Sequence, residues 1–397
     1  MKKTITITLT LIVLFSSCHV GRFFIYNFSD IRDYKKFPYR PLKPAPEPFY
    51  FKPKTNQTIQ VNPKDKKGRE HNFEEVLQKN GTVSFLVIRN DSIIYDWTRN
   101  TYDSASIIPS FSMAKSFVSA LVGIAIGEGS IKSTAEPITN YLALPANKGF
   151  EKITIQHLLD MQSGIHFIEN YYNPFGDVAK FYYGNHLRKY VKHLRIAKPP
   201  GSEFEYLSLN TELLAMIVEK ASGKTCTAYL QEKLWTPIGM QFSASWSIDS
   251  KKGDMEKAFC CINARTIDFA KLGRLYLKKG EWNGQQLIPR SWVEASVYDS
   301  SDRNDFMYTN MWWHTRLYSE ISDTVKIKTA YRIAYIKGNK DKPYVVSPAG
   351  DFFAQGHLGQ FIYVYPKSNI VIVRLGKNEG KIYWPQLMRS IAIKNTL

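Results

Sequence analysis

Pro109-Ser-Phe-Ser-Met-Ala-Lys-Ser-Phe-Val118 is the stretch on which the reading of this chain turns. It sets Ser112 and Lys115 three positions apart at the head of an apolar run, Phe111 to Ile126, with small residues between the large ones. That pattern predicts a buried helix. On a helix, residues at i and i+3 are neighbours with Cβ atoms roughly 5–6 Å apart. A serine hydroxyl is a weak nucleophile until a neighbour takes its proton. A lysine can take it when burial lowers its pKa, because burial disfavours the charged form. Against this stands the ordinary reading, a serine near a helix start followed by a surface lysine. A Ser-x-x-Lys match arises about once by chance in a chain of this length.

Two downstream segments shift the balance. Pro199-Pro-Gly-Ser-Glu-Phe-Glu-Tyr-Leu-Ser-Leu-Asn210 begins with a turn and runs into an apolar series spaced for a helix: Leu213, Leu214, Ile217, Val218 and Ala221, closing on Gly223. Tyr206 and Ser208 are therefore expected on the loop entering that helix. Ala354-Gln-Gly-His-Leu-Gly-Gln360 leads into two apolar strands, Phe361 to Tyr365 and Asn369 to Leu375, with a turn at Pro366–Asn369. Gly356 and Gly359 bracket His357, so the backbone there can approach a bound group closely.

With Ser-x-x-Lys, Tyr-x-Ser and His-x-Gly present in this order, the chain resembles the serine β-lactamase-like hydrolases: class C β-lactamases, DD-peptidases and related esterases. The Gly-His-x-Gly-Gln context looks closest to the esterase and 6-aminohexanoate-dimer-hydrolase branch. Supporting segments are Ile153–Gly164, Leu234–Met240, Ala264–Gly273 and Asn310–Trp313, and the resemblance covers residues 75 to 395. It implies Ser112 as nucleophile, Lys115 and Tyr206 as its proton-transfer partners with the general base open between them, and an oxyanion hole from the backbone N–H groups of Ser112 and Gln360. Ser208, His357 and Gly359 would line the cleft. Tyr171 and Tyr172 fall on the loop where the resembling hydrolases place a substrate-closing tyrosine, beside Glu169; an aromatic loop packed on the surface is the alternative. Two departures matter. Ser208 stands where class C enzymes carry asparagine, the nearest asparagine being Asn210, and His357-Leu-Gly replaces Lys-Thr-Gly. The missing lysine would have held a substrate carboxylate, so a small ester or short amide is the expected substrate rather than a β-lactam or a D-alanyl peptide. The alternative on the same fold is a penicillin-binding or cell-wall-binding acyl sensor that does not turn over.

At 397 residues and 44% apolar, the chain can bury a large core. Strands at Val83–Ile88 and Ser92–Trp97, turning at Asn90-Asp91, precede a helical middle, and strands return after Gln360. This order fits an α+β architecture. The resemblance makes it β-lactamase/transpeptidase-like: an antiparallel sheet flanked by helices, with a second, mostly helical subdomain over about residues 127–259, all within residues 73–397. Lys2 and Lys3 before the apolar run Ile5–Phe15 read as a signal peptide over residues 1–17. Leu14-Phe-Ser-Ser-Cys18 resembles a lipoprotein cleavage box and would make Cys18 a lipid attachment site; an ordinary cleaved signal and an uncleaved anchor compete. Residues 18–72, rich in proline, lysine and aromatics, read as an extended tether. The expectation is an exported, envelope-located protein held at a membrane by its lipid. Cys226, Cys260 and Cys261 read as buried free thiols. The net charge of +18 favours anionic surroundings, but the basic residues form no nucleic-acid motif, so nucleic acid is not an expected partner. None of the eight histidines sits in a metal-ligand pattern, so neither metal nor cofactor is expected.

Overall fold

The computed structural model describes residues 19–26, 28–53, 59, 61, 63, 69–145, 148–298, 307–320, 332–336 and 339–395. The signal peptide and Cys18 lie outside the described residues. The chain divides into two compact units. Fold and sheet pattern are α+β, with antiparallel ladders throughout the named sheets.

The second unit, Glu47–Ser106 with Pro237–Gln241 and Arg265–Leu397, is built on an eight-stranded sheet. Its middle joins the two ends of the sequence: Thr82–Arg89 pairs with Ile370–Gly376, which pairs with Gln360–Tyr365. Both hairpin turns match the sequence. Asn90 and Asp91 take φ of 49° and 60°, the left-handed pair that a two-residue hairpin loop with matching twist requires, and Asn369 takes 52°. Side chains alternate across the strands. Phe85, Val87, Phe361, Tyr363, Ile370 and Ile372 share a core with Trp384, Met388 and Ile391 of the C-terminal helix and with Phe73 and Leu77 of helix Phe73–Lys79. On the opposite face, helix Thr266–Leu277 lies so close that a Cβ on Gly273 would stand 2.7 Å from Val371 Cγ1 and 3.0 Å from Ile362 Cγ2.

The first unit combines residues 19–46 with Ile107–Thr236 and Phe242–Ala264. Helices Ala114–Gly127 and Ser208–Ser222 run through its centre, and Leu121, Leu213, Leu214 and Ile217 are fully buried. A four-stranded sheet orders Tyr39–Leu42, Ala244–Ser247, Ile262–Ala264 and Ile108–Pro109. Its central stretch therefore takes in helix Ala114–Gly127 and starts at Ile107, ahead of the expected 127.

The tether reading of 18–72 is corrected over residues 19–51, while most of residues 54–68 lie outside the described residues. Residues His19–Tyr26 form a helix, Tyr39–Leu42 is a sheet strand in register with Ala244–Ser247, and Phe23, Phe37 and Leu42 are buried. Further on, Phe49 N–H donates to Gly239 O at 2.9 Å and Phe51 is buried. The proline content misled because Pro41 sits in an edge strand, where a missing N–H costs no ladder bond. The free-thiol reading is corrected in part: Cys260 and Cys261 form a disulfide between adjacent residues, while Cys226 is free and buried. Among the described residues no helix is long and apolar enough to cross a membrane.

Candidate active site

The first unit brings Ser112, Lys115, Tyr206, Ser208, Glu169 and Tyr171 together. Phe111–Met113 is one 3-10 turn on the front of helix Ala114–Gly127. Phe111 is held at φ 43°, a left-handed conformation that a bulky side chain rarely takes, and it turns the chain sharply just ahead of Ser112. The turn is pinned from the neighbouring strand: Ser110 N–H donates to Ile262 O at 2.7 Å, and Ile262 N–H donates to Ser110 Oγ at 3.1 Å.

One turn on, Lys115 is 1% exposed, so its amine is cut off from bulk water. Its Nζ lies 2.9 Å from Ser112 Oγ, 3.0 Å from the Phe259 carbonyl oxygen and 3.4 Å from Ser208 Oγ, and 5.0 Å from the centre of the Tyr206 ring. Burial pulls the pKa of this amine down to about 8, against the opposing charges of Glu169 and Glu212. The Phe259 carbonyl comes from a tightly fastened loop. Ala258 N–H donates to buried Glu212 at 2.9 Å, the Trp246 indole donates to Cys260 O at 3.0 Å, and the Cys260–Cys261 disulfide follows at once.

Tyr206 sits on the loop before helix Ser208–Ser222, hydrogen-bonded to the Ser112 hydroxyl. Desolvation pushes its phenol well above the ordinary tyrosine range; the Ser112 bond opposes that rise and the Glu169 charge adds to it. Ser208 opens the helix rather than lying on the loop before it. Asn210 follows in the same helix. It is buried, accepting from Ser163 Oγ at 2.7 Å and donating to Met161 Sδ at 3.4 Å, and so fixes the approach of the Tyr206 loop.

Glu169 is the residue that motif reading placed nearby without a role. Its Oε1 accepts from Ser208 Oγ at 2.5 Å and from the Tyr171 hydroxyl at 2.6 Å, and its Oε2 accepts from Ser208 N–H at 2.8 Å. Burial, then the Glu169 charge, pushes the Tyr171 phenol well up. Tyr172 faces elsewhere: it is 74% exposed, with its ring against Phe28. No sequence signal finds Glu169, because its partner lies 39 positions away on a separate element.

The His357-x-Gly turn belongs to the second unit. Leu358 and Gly359 take φ of 63° and 78°, and a Cβ on Gly359 would overlap Arg374 Nη1, so only glycine fits. Buried Arg374 donates to the carbonyls of Gly359, Asn80 and Asn378 and stacks 3.8 Å from the Trp384 ring. The Gln360 side chain bridges His357 O at 3.2 Å and Gly376 O at 2.6 Å, which holds the turn between its two strands. Trp312 is fully buried and Trp313 packs at the edge of the core. Among the described residues no cluster of His, Cys, Asp and Glu could hold a metal ion.

A family model described as Beta-lactamase matches residues 70–249. The 6-aminohexanoate-dimer hydrolase of Paenarthrobacter ureafaciens is 27% identical over 271 residues, 61% of this chain and 67% of that protein. By these matches the chain is similar to the serine β-lactamase-like hydrolases. Solved structures agree on the fold. A Bacillus anthracis protein described as a candidate 6-aminohexanoate-dimer hydrolase superposes with a TM-score of 0.72 at 23% identity, covering 93% of this chain and 92% of its own. A penicillin-binding protein from Bacillus halodurans gives 0.58 at 16% identity, covering 81% and 99%.

Proposed function

We propose that this β-lactamase-like hydrolase is an exported enzyme that cleaves a small ester or short amide through an acyl-enzyme on Ser112. The observation that carries the reading is the contact of 2.9 Å between Ser112 Oγ and the buried Lys115 amine. As Oγ attacks the carbonyl carbon, its proton passes to the neutral amine and the carbonyl π pair moves to oxygen. Tyr206, hydrogen-bonded to Ser112, is placed to hand a proton to the departing alcohol or amine. The family pattern assigns the oxyanion to the backbone N–H groups of Ser112 and Gln360; loss of one such donor typically costs on the order of 10²–10³ in rate. Water then attacks the ester carbon, and the same groups return the proton as Ser112 leaves. The absence of a lysine at His357 removes the expected anchor for a substrate carboxylate, which favours substrates without one near the scissile bond. His357, Gly359 and Tyr171 remain assigned to substrate contact, as the family pattern implies. Tyr172, largely exposed, is assigned no role beyond the loop surface.

Labelling with a fluorophosphonate, with turnover of a panel of p-nitrophenyl esters, linear amides, nitrocefin and D-alanyl-D-alanine peptides, tests the reading. Labelling that disappears in Ser112→Ala, with ester or amide turnover above the lactam, is expected. A folded wild-type chain that is not labelled defeats it. Intact mass separates an enzyme, which returns to the free mass, from an acyl sensor, which keeps the adduct. Export and anchoring through Cys18 are tested by fractionation: Cys18→Ser should move the protein from membrane to soluble envelope fractions, and a wild-type chain found in the cytosol rules the location out.

A further inference from the structure

We infer that Glu169 is a positioning residue that fixes the direction of the hydrogen bonds around Lys115, so that the neutral amine presents its lone pair to Ser112. The inference rests on Ser112 as nucleophile and adds the residue that makes Lys115 its base.

The argument is a count of donors and acceptors. A protonated lysine has three N–H donors, and three oxygens surround Nζ: Ser112 Oγ, the Phe259 carbonyl oxygen and, at the longer 3.4 Å, Ser208 Oγ. Once the amine loses a proton it keeps two N–H groups and one lone pair. One of the three neighbours must then donate to it. The Phe259 carbonyl has no hydrogen to give. Both serines have one, and by themselves they would compete. Glu169 removes Ser208 from the competition: its Oε1 takes the Ser208 hydroxyl hydrogen at 2.5 Å, leaving only lone pairs of Ser208 facing the amine. Ser112 alone can then donate to the lone pair, and that is the proton that must leave for Oγ to attack. When the Ser112 O–H bond breaks, the third N–H of Lys115 forms, and the Ser208–Glu169 bond is untouched.

A carboxylate is required here. Three donors converge on Glu169: the Ser208 hydroxyl and Tyr171 hydroxyl on one oxygen, the Ser208 N–H on the other. An amide of the same shape offers one acceptor oxygen and an NH₂ group that meets a donor head-on. In either orientation of a glutamine, one donor at Ser208 is left facing another donor. With the NH₂ toward the Ser208 hydroxyl, that hydroxyl is free to turn to Lys115 and occupy its lone pair; with the NH₂ toward the Ser208 N–H, the backbone donor is left unpaired and the head of the helix is pushed from its place.

The test compares Glu169→Gln and Glu169→Asp in the full-length protein, with p-nitrophenyl acetate as substrate and a fluorophosphonate as probe of Ser112. Glu169→Gln is expected to lose at least about tenfold in kcat/KM and in labelling rate, most of it in kcat. Its activity should also begin at lower pH, because the carboxylate charge that favours the ammonium form of Lys115 is gone. Glu169→Asp keeps both acceptor oxygens and the charge, and should be faster than Glu169→Gln although glutamine is the closer match in shape. In a Ser208→Ala background, replacing Glu169 by Gln should cost little further, since no hydroxyl remains to be misdirected. An unmoved pH profile, the order Gln faster than Asp, or fully additive losses with Ser208→Ala each overturn the inference. A wild-type chain that fails to label overturns the nucleophile assignment itself, whereas labelling of wild type with indifferent Glu169 variants overturns only this step.

Discussion

At Lys115, burial decides the state of one proton. Its amine is pulled down to about 8 by desolvation, with Glu169 and Glu212 pulling the other way. In the mechanism proposed above the neutral form is the base, so the sign is fixed: below that pH the amine is an ammonium and cannot accept from Ser112, and above it the base is free. The profile of kcat/KM, which reports the free enzyme, should rise tenfold per pH unit on its acid side and level off near pH 8. A stopped assay with p-nitrophenyl acetate across pH 5.5 to 9.5 measures it; a limb centred near the ordinary histidine value would assign the base elsewhere. Lys115→Arg retains the charge but stays protonated throughout this range, so it should lose on the order of 10²–10⁴ in rate and the limb with it. The spacing of Ser112 and Lys115 was readable in the sequence because a helix fixes the distance between positions i and i+3. Glu169 was not assignable, since its contact with Ser208 depends on how a loop returns to the head of a helix.

Helices and strands in this chain were legible where periodicity and turn chemistry agreed. Ser92–Trp97 and the strands on either side of Pro366–Asn369 carried both signals, and each hairpin closes where its asparagine can adopt a left-handed φ. The Cys260–Cys261 bond gave no such signal, because no spacing rule distinguishes adjacent thiols that pair from adjacent thiols that merely lie buried. Helix Thr266–Leu277 shows why one glycine belongs inside a helix that would otherwise prefer alanine. Gly273 faces Val371 and Ile362 at distances that leave no room for a Cβ, and both are β-branched residues fixed in strands of the central ladder. Gly273→Val should therefore push the helix from the sheet at a cost of about 1–3 kcal/mol, the range for overpacking a well-filled core. Gly284, in open space on a turn at φ 86°, provides a contrast: Gly284→Ala meets no neighbour and pays only for its backbone conformation. Urea unfolding of both variants distinguishes packing from backbone strain. Equal losses would mean that contact with the sheet does not explain Gly273.

At the scale of the whole molecule, the decisive contrast is between a tether and a part of the fold. A tether contributes reach and no stability, so its deletion leaves the melting temperature unchanged. Residues 19–46 are built in differently. Tyr39–Leu42 supplies the edge strand of the first unit's sheet, with four residues in register against Ala244–Ser247. Arg40 pairs with the buried carboxylate of Glu256 at 2.7 Å, and buried Asp33 accepts from the Tyr182 hydroxyl at 2.7 Å. Phe23, Phe37 and Leu42 are each buried, and full burial of one such side chain contributes about 1.5–3 kcal/mol. Removing residues 1–46 thus uncovers an apolar face and leaves Glu256 without its arginine, a loss comparable with the whole stability of an ordinary domain. Removing only residues 1–18 takes away none of these contacts. Two truncated proteins compared by calorimetry decide the matter: the version beginning at His19 should melt as the full chain does and retain fluorophosphonate labelling, whereas the version beginning at Glu47 should fail to fold or melt many degrees lower. Equal melting of the two would show that the strand and its buried partners add nothing, and would restore the tether.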